Sequence, residues 1–564
     1  MKARFLGPLD IVTGSCTWMR DEANGWNFLV DCGMQQGERS AQDWNQRNWP
    51  FRPSDIQFVV LTHAHLDHCG LLPKLYRDGF RGTVYCTAET AELAKIVLED
   101  AARQADSVFR STDVARIGWH EHSALSFHRP LPVGHDLFLR YYRSGHIAGA
   151  VSVAVLWGPR GEGQRSIVFS GDLGPNAEEC EHLPFMRHRM VPTKADFAVI
   201  ESTYGGVIRT EDDLTPEARC NRLRELVDAT VASNGVLVLP CFAIGRAQDV
   251  LFDLHWLFAE SPDQYANVDV VFDLPMAERV NRIVAKAMRR TEANGRPGKV
   301  RPMWLGKQMF RWFELDQENP QHVKTLFAMI DSALGLTDGQ QQPRPMAGNA
   351  VAREWRPIAR KSSQRGALPK DRPVVLVTGG GMCDGGPAAE WLPMLLPDPR
   401  VTVALPGYVS PASIGGQLLQ LATTPLVERR RHTGVLRWSR EKQLPVHQVA
   451  ASITRLSGYS AHADQAGLLT WLFWEYAGVP STTGKVVFVQ HGTKAGRTEL
   501  QKAIQARASE LGHEVSVLLP DDPTVDFDLD ASAAAVSASA RRAALLREQA
   551  RIAIELAEFD DKAA

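Results

Sequence analysis

The sequence predicts an α/β fold whose chemistry sits at the ends of strands, and three observations predict it. Short apolar runs alternate with helix-like segments along the chain, the pattern of a mostly parallel sheet. Most of these runs stop at a string of glycine and polar residues, which places loops rather than core at the strand ends. Between the strand-like run Phe58-Val59-Val60-Leu61 and a helix-like run opening at Gly70 lies His63-Ala64-His65-Leu66-Asp67-His68. Residues two apart in an extended or turning backbone point the same way, so His63 and His65 can share one metal ion. Past the turn, Asp67 and His68 can face a second ion beside the first. Imidazole with carboxylate suits zinc and similar borderline metals. A polar turn with satisfied histidines is the plainer alternative, but three histidines and an aspartate in six residues argue against it.

The 564 residues amount to three or four domains' worth of chain, enough for a large core. With 44% hydrophobic and 23% charged residues the composition is that of a soluble globular protein. The formal net charge of −2 offers polyanions no global attraction, so a nucleic-acid surface has to be local. Eight scattered cysteines without a CxxC pair favour reduced thiols and a cytoplasmic location. Neither a signal-type start nor an apolar run of membrane-spanning length is present, so no membrane partner is expected.

In chain order, Trp26-Asn27-Phe28-Leu29-Val30 reads as a strand ending at Asp31-Cys32-Gly33, where Asp31 is either a turn residue or a group facing the metals. Residues 87–118 read as an amphipathic helix. His146 lies in a loop between Gly145 and Gly149. The buried-type strand Ser166-Ile167-Val168-Phe169 ends in Gly171-Asp172, and Phe197-Ala198-Val199-Ile200 ends in Glu201-Ser202-Thr203-Tyr204-Gly205. A helix over 216–233 precedes strands near 235–240, 268–272, 374–377 and 401–405. These reach Phe242–Asp249 in a loop and helix start containing Arg246, Asp273-Leu274-Pro275, the glycine-rich 378–387 and Pro406-Gly407-Tyr408. Glycine loops at strand-to-helix junctions either offer free N–H groups to phosphate or simply make tight turns. The aperiodic stretch 340–372 reads as a surface insertion whose Arg and Lys residues either meet an RNA backbone or are only solvated. A strand over 450–456 leads to Ser457-Gly458-Tyr459-Ser460-Ala461-His462-Ala463-Asp464, and a strand over 485–490 ends in His491-Gly492. The tail, 531–564, places Leu545, Ile552, Leu556 and Phe559 on one helical face, for its own domain or for a second subunit in a homodimer.

The string at 63–68 resembles, residue for residue, the signature of the metallo-β-lactamase superfamily, and His146 and Gly171-Asp172 match its later metal motifs in order. The string 201–205 resembles the first diagnostic motif of the β-CASP branch, whose members cut nucleic acids. The string 458–464 resembles its second motif, and His491-Gly492 stands at its third. Over residues 1–530 the chain therefore resembles the β-CASP nucleases, which include the nuclease subunit of the eukaryotic pre-mRNA cleavage machinery and the RNase J enzymes. The resemblance implies an αββα sandwich from residues 1–204 and 446–530, interrupted by a β-CASP α/β cap over 205–445 and followed by a helical tail over 531–564. Departures are Gly206–Arg209, which lack a histidine many members carry there, Thr493 in place of a frequent Glu, Ala150 in place of a frequent Ser, and Cys383-Asp384 inside the glycine loop at 379–386.

By the same resemblance two Zn2+ ions per chain, with Mn2+ as the alternative, take His63, His65 and His146 at one site and Asp67, His68 and His491 at the other. Asp172 bridges them, Asp31 orients a ligand histidine, His462 is the general acid and Glu201 orients it. The implied activity is two-metal hydrolysis of single-stranded RNA to 5′-phosphate and 3′-hydroxyl ends, with Arg246, Gly385 and Gly386 as RNA contacts. A small-substrate hydrolase of the superfamily accounts for the metal motifs but not for Glu201, His462 or the cap. A DNA-processing β-CASP enzyme tends to carry Val where His491 stands, and a non-catalytic paralogue would have lost metal ligands.

Overall fold

The computed structural model describes residues 1–563 except 8, 37–40, 105–106, 123–128, 162, 177–182, 188–189, 191–194, 211–213, 294–299, 337–357, 360–367 and 474–482. Two seven-stranded sheets form a sandwich. In the first, the order is Phe527–Asp528, Lys2–Phe5, Thr17–Asp21, Trp26–Val30, Phe58–Val60, Thr83–Thr87 and Trp119–His122. In the second it is Ser516–Leu518, Thr483–Val489, Ala195–Ile200, Arg165–Phe169, Val151–Trp157, Leu137–Arg143 and Leu131–Gly134. The inner faces interdigitate through aromatic and β-branched residues. Phe5 meets Phe488 with ring centroids 5.0 Å apart, and Phe28, Val60, Val153 and Phe169 belong to the same buried cluster. Helices cover the outer faces: Ala88–Ala101 on the first, Gln465–Phe473 and Lys494–Glu510 on the second.

Strand direction places the chemistry. Trp26–Val30 and Phe58–Val60 are parallel, as are Arg165–Phe169, Ala195–Ile200 and Thr483–Val489. Their C-terminal ends release Asp31, the 63–68 string, Asp172, Glu201 and His491 at one edge of the sandwich. Asp31 (φ 59°) and His491 (φ 48°) hold left-handed backbone there, a conformation that costs a non-glycine residue about 1–2 kcal/mol. Gly33 permits the close fit of this edge, since a Cβ there would lie 1.7 Å from the Asp67 carbonyl oxygen.

The cap is a six-stranded, all-parallel sheet ordered Ile358–Ala359, Asp269–Asp273, Val374–Gly379, Val236–Cys241, Val401–Leu405 and Ser452–Arg455. Its last strand corrects the expected boundary at 445. Ser452–Arg455 pairs with Val401–Leu405, and Ala451 and Ile453 are buried among cap residues, so the chain leaves the cap only after Leu456. The helix Pro216–Ser233 has the predicted bounds because both ends carry signals. Thr215 accepts from the Ala218 N–H, Pro216 takes the first helical position, and Asn234 closes the helix in a left-handed conformation. The predicted helix at 87–118 instead ends at Ala101, where its apolar face runs out, and a short turn of helix follows at Ser111–Val114. Thr493, one of the departures, is the N-cap of Lys494–Glu510, accepting from the Gly496 N–H.

The cap helix Ala277–Met288 lies along Ala88–Ala101, where Lys286 pairs with Glu92 and Arg279 with Glu99; just past its end, Arg290 pairs with Glu89. In the tail helix Ala533–Ala563, Val536 is buried and Arg547 pairs with Asp521 and Asp522, so its first half packs on its own domain. Leu545, Leu546 and Ile552 are exposed, while the side chains of Leu556 and Phe559 lie outside the described residues, as does most of 340–372. No helix among the described residues is long and apolar enough to cross a membrane.

Candidate metal centre

Seven side chains from four strand-end loops converge on two adjoining points. His63 Nε2, His65 Nδ1, His146 Nε2 and Asp172 Oδ2 form one group, with His65 Nδ1 3.2 Å from His63 Nε2 and 3.0 Å from His146 Nε2. Asp67, His68 and His491 form the other, with His491 Nε2 3.8 Å from Asp67 Oδ2. Asp172 stands between them. Its Oδ2 is 3.5 Å from both His63 and His146, and its Oδ1 is 3.1 Å from His68 Nε2 and 3.4 Å from His491 Nε2. One carboxylate oxygen thus faces each group, which is the placement expected of a bridge.

The imidazoles are oriented from behind. His146 Nδ1 lies 2.9 Å from the Ala461 carbonyl oxygen, which can only accept, so that nitrogen carries the proton and Nε2 keeps a free lone pair. His68 Nδ1 lies 2.7 Å from Asp31 Oδ2, and Asp31 itself accepts from the Thr62 N–H and hydroxyl at 2.8 and 2.9 Å. His491 Nδ1 meets the Ser15 hydroxyl at 2.8 Å. Such partners fix tautomer and ring angle, and Asp31→Asn, which tolerates the same left-handed backbone, is expected to weaken metal affinity about 10–100-fold in a chelator competition while the melting temperature of the metal-free protein changes little.

The donor set fits metal rather than its absence. His68 Nε2, His491 Nε2 and Asp172 Oδ1 are buried without a hydrogen-bond partner, which leaves donor atoms of both groups available to a cation. Burial holds His63 and His146 well below the usual imidazole pKa and His65 at about 4, so all three are neutral, the form that ligates. Burial opposes charge on Asp172, but His491, His68 and His63 around it hold it well below the usual carboxylate range.

His462 lies at the edge of this centre, in a further group of close donor atoms with Asp172 and Glu201. Its Nε2 is 4.0 Å from Asp172 Oδ2, while its Nδ1 is 3.2 Å from both oxygens of Glu201. Glu201 is fixed in turn by the Leu173 and Thr203 N–H groups at 2.6 and 3.2 Å. Burial works against a charged His462, yet the Glu201 carboxylate overrides it and raises the imidazole pKa.

The cap residues fare differently. Arg246 is 3% exposed at the start of the helix Arg246–Glu260, and its Nη1 lies 2.6 Å from Asp249 Oδ2. That is a buried ion pair at the position expected to contact RNA. Burial still dominates at Asp249, raising its carboxyl to about 6 against the pull of Arg246. Gly385 is exposed with open space about it, and Gly386 (φ 63°) turns beside Gly379 and Gly380. Sequence reasoning missed Ser15, Thr62 and Ala461 as orienting groups. Thr62 adjoins the 63–68 string and Ala461 lies within the 458–464 string, whereas Ser15 carries no signal.

The metallo-beta-lactamase superfamily model matches residues 9–196, and the Beta-Casp domain model matches residues 247–418. The chain is 31% identical over 505 residues to the protein named Ribonuclease TTHA0252 of Thermus thermophilus, covering 89% of this chain and 95% of that one. It is 24% identical over 482 residues to the Transcription termination factor FttA of Methanococcus maripaludis, covering 84% of this chain and 64% of that protein. The Pyrococcus horikoshii FttA is 24% identical over 431 residues, with 74% and 55% covered.

Proposed function

This chain belongs to the β-CASP branch of the metallo-β-lactamase superfamily, and we propose that it is a metal-dependent ribonuclease hydrolysing phosphodiester bonds of single-stranded RNA. The observation that carries the reading is the pairing of a two-sided aspartate, Asp172, with an imidazole held on its far nitrogen by Glu201. A hydrolase needing only an activated water has no use for the second device. The name of the Thermus relative, matched over nearly its whole length, points the chemistry to RNA.

His63, His65 and His146 would hold one zinc, Asp67, His68 and His491 the other, with Asp172 between; manganese is the alternative. The chemistry such ions would supply there is Lewis acidity toward the phosphate and the attacking water. The chain's own residues do the rest. Asp31 and Thr62 keep His68 in one tautomer. Glu201 accepts from His462 Nδ1 and leaves Nε2 to carry a proton toward the departing ribose 3′-oxygen, a poor leaving group that needs one. The ends produced are then a 5′-phosphate and a 3′-hydroxyl. Residues 205–456 act as the cap, returning the chain to the sandwich just before His462. The free cysteines among the described residues suit a reducing, cytoplasmic setting.

Matched single strands of RNA and DNA test the substrate. RNA is expected to be cut at least about tenfold faster, because the 2′-hydroxyl is the group that separates the two. Cutting should weaken as salt rises, since phosphate contacts release counterions. Equal or faster cutting of DNA removes the RNA assignment. Hydrolysis of a thioester or lactam with neither nucleic acid cut removes the nuclease reading.

A further inference from the structure

The peptide units around His462 are tied down one by one. The Ala461 carbonyl accepts from His146 Nδ1 at 2.9 Å, and the Ala463 N–H donates to the Leu173 carbonyl at 2.7 Å. Both tethers lead back to the metal-centre loops. The carbonyl of His462 itself is held by a different group: Arg209 Nη1 donates to it at 3.0 Å.

Arg209 lies in the loop that follows the strand Ala195–Ile200, and residues 205–209 of that loop are zippered to 462–465. The Arg209 N–H donates to Asp464 Oδ2 at 3.0 Å, and the Gln465 N–H donates to the Val207 carbonyl at 2.8 Å. Gln465 Nε2 donates to the Gly205 carbonyl at 2.7 Å. Asp464 spends its other oxygen on the Gly467 N–H, capping the helix Gln465–Phe473. The guanidinium carbon of Arg209 sits 4.9 Å over the Tyr204 ring, whose other neighbours are the rings of His462 and of the cap residue Tyr408, each 6.1 Å away. The loop has no apolar anchor of its own, since Val207 is 40% and Ile208 73% exposed. Its position therefore rests on these polar contacts, with Arg209 the member that grips the residue carrying the proton.

We propose that Arg209 is a positioning residue for His462, locking its main chain through the carbonyl so that Nε2 keeps its aim at the leaving oxygen. The proposal rests on the ribonuclease reading for its kinetic consequence. Its structural consequence stands without that reading.

Arg209→Ala should therefore lower kcat about 10-fold with KM little changed. That is less than the roughly 10²–10⁴-fold attached to a positioned acid, because the imidazole stays and only its aim loosens. Arg209→Lys, which can still donate to the carbonyl, should recover part of the loss. Metal content and melting temperature should match the parent protein, and hydrogen–deuterium exchange should quicken over 460–465 and not elsewhere. Gln465→Ala, which loosens the same zipper from the other strand of the loop, should give a smaller drop in kcat of the same kind, and it serves if the arginine variant folds poorly. A rise in KM at constant kcat would make Arg209 a substrate contact and overturn the proposal, as would unchanged kcat with unchanged exchange. If the parent protein cuts no RNA, the ribonuclease reading fails, while faster exchange over 460–465 in Arg209→Ala still supports the clamp and unchanged exchange still overturns it.

Discussion

Asp172→Ala is expected to abolish RNA cleavage and to empty both metal positions together. The reason is geometric: one oxygen of this carboxylate faces His63 and His146, the other His68 and His491, at 3.1–3.5 Å. No other side chain among those described stands between the two groups in this way. Removing it takes an anionic ligand from each site, leaving His63, His65 and His146 with no carboxylate to offset a cation and the other group with Asp67 alone. The parent protein should carry about two zinc ions per chain by elemental analysis, and the variant well under one. Cleavage should fall by at least about 10³-fold, roughly 4 kcal/mol of lost transition-state stabilisation. Fold need not suffer. The flanking strands Arg165–Phe169 and Ala195–Ile200 are held by their own ladder and by the inter-sheet core, so circular dichroism of the metal-free variant should match that of the metal-free parent. One metal or none in active parent protein would show that the seven donors do not form two sites.

How much of this was legible beforehand depended on whether a residue's partners lay near it in sequence. His63, His65, Asp67 and His68 share one string, and strand-end periodicity alone marks them as a metal site. His146, Asp172 and His491 are single residues, readable only through their order along the chain and the family pattern. Their orienting partners were beyond reach. Ser15 lies 476 residues from His491 and Arg209 253 from His462, so nothing local ties either to the site. The strand Ser452–Arg455 was placed in the wrong sheet for a related reason. Its alternation announces a strand, but which sheet edge it joins is decided in space, here by Ile453 and Ala451 packing into the cap core. Arg246 is the opposite case. Asp249 follows it by three residues, the spacing of an ion pair on one helical turn, so the pairing is legible locally while the burial of the pair is not.

His462→Ala separates the proton donor from the metal ligands and carries the second large effect. Each of the seven ligand side chains remains, so metal content should stay at the parent level. The ring touches the metal centre only through a 4.0 Å approach to Asp172 and a 4.6 Å ring contact with His146, neither of which is a donor–acceptor bond. RNA cleavage should nevertheless fall by about 10²–10⁴-fold, the usual contribution of a positioned acid. A substrate that leaves without a proton distinguishes this role from mere structural damage. With an aryl phosphodiester such as bis(4-nitrophenyl) phosphate, the departing phenolate is stable unprotonated, and the variant should lose less than about tenfold. Glu201→Gln should follow the same pattern more weakly. It leaves the imidazole in place but removes the carboxylate that raises its pKa and accepts from Nδ1. Equal losses on both substrates would deny His462 the role of acid. Loss of metal from His462→Ala would place it among the ligands instead.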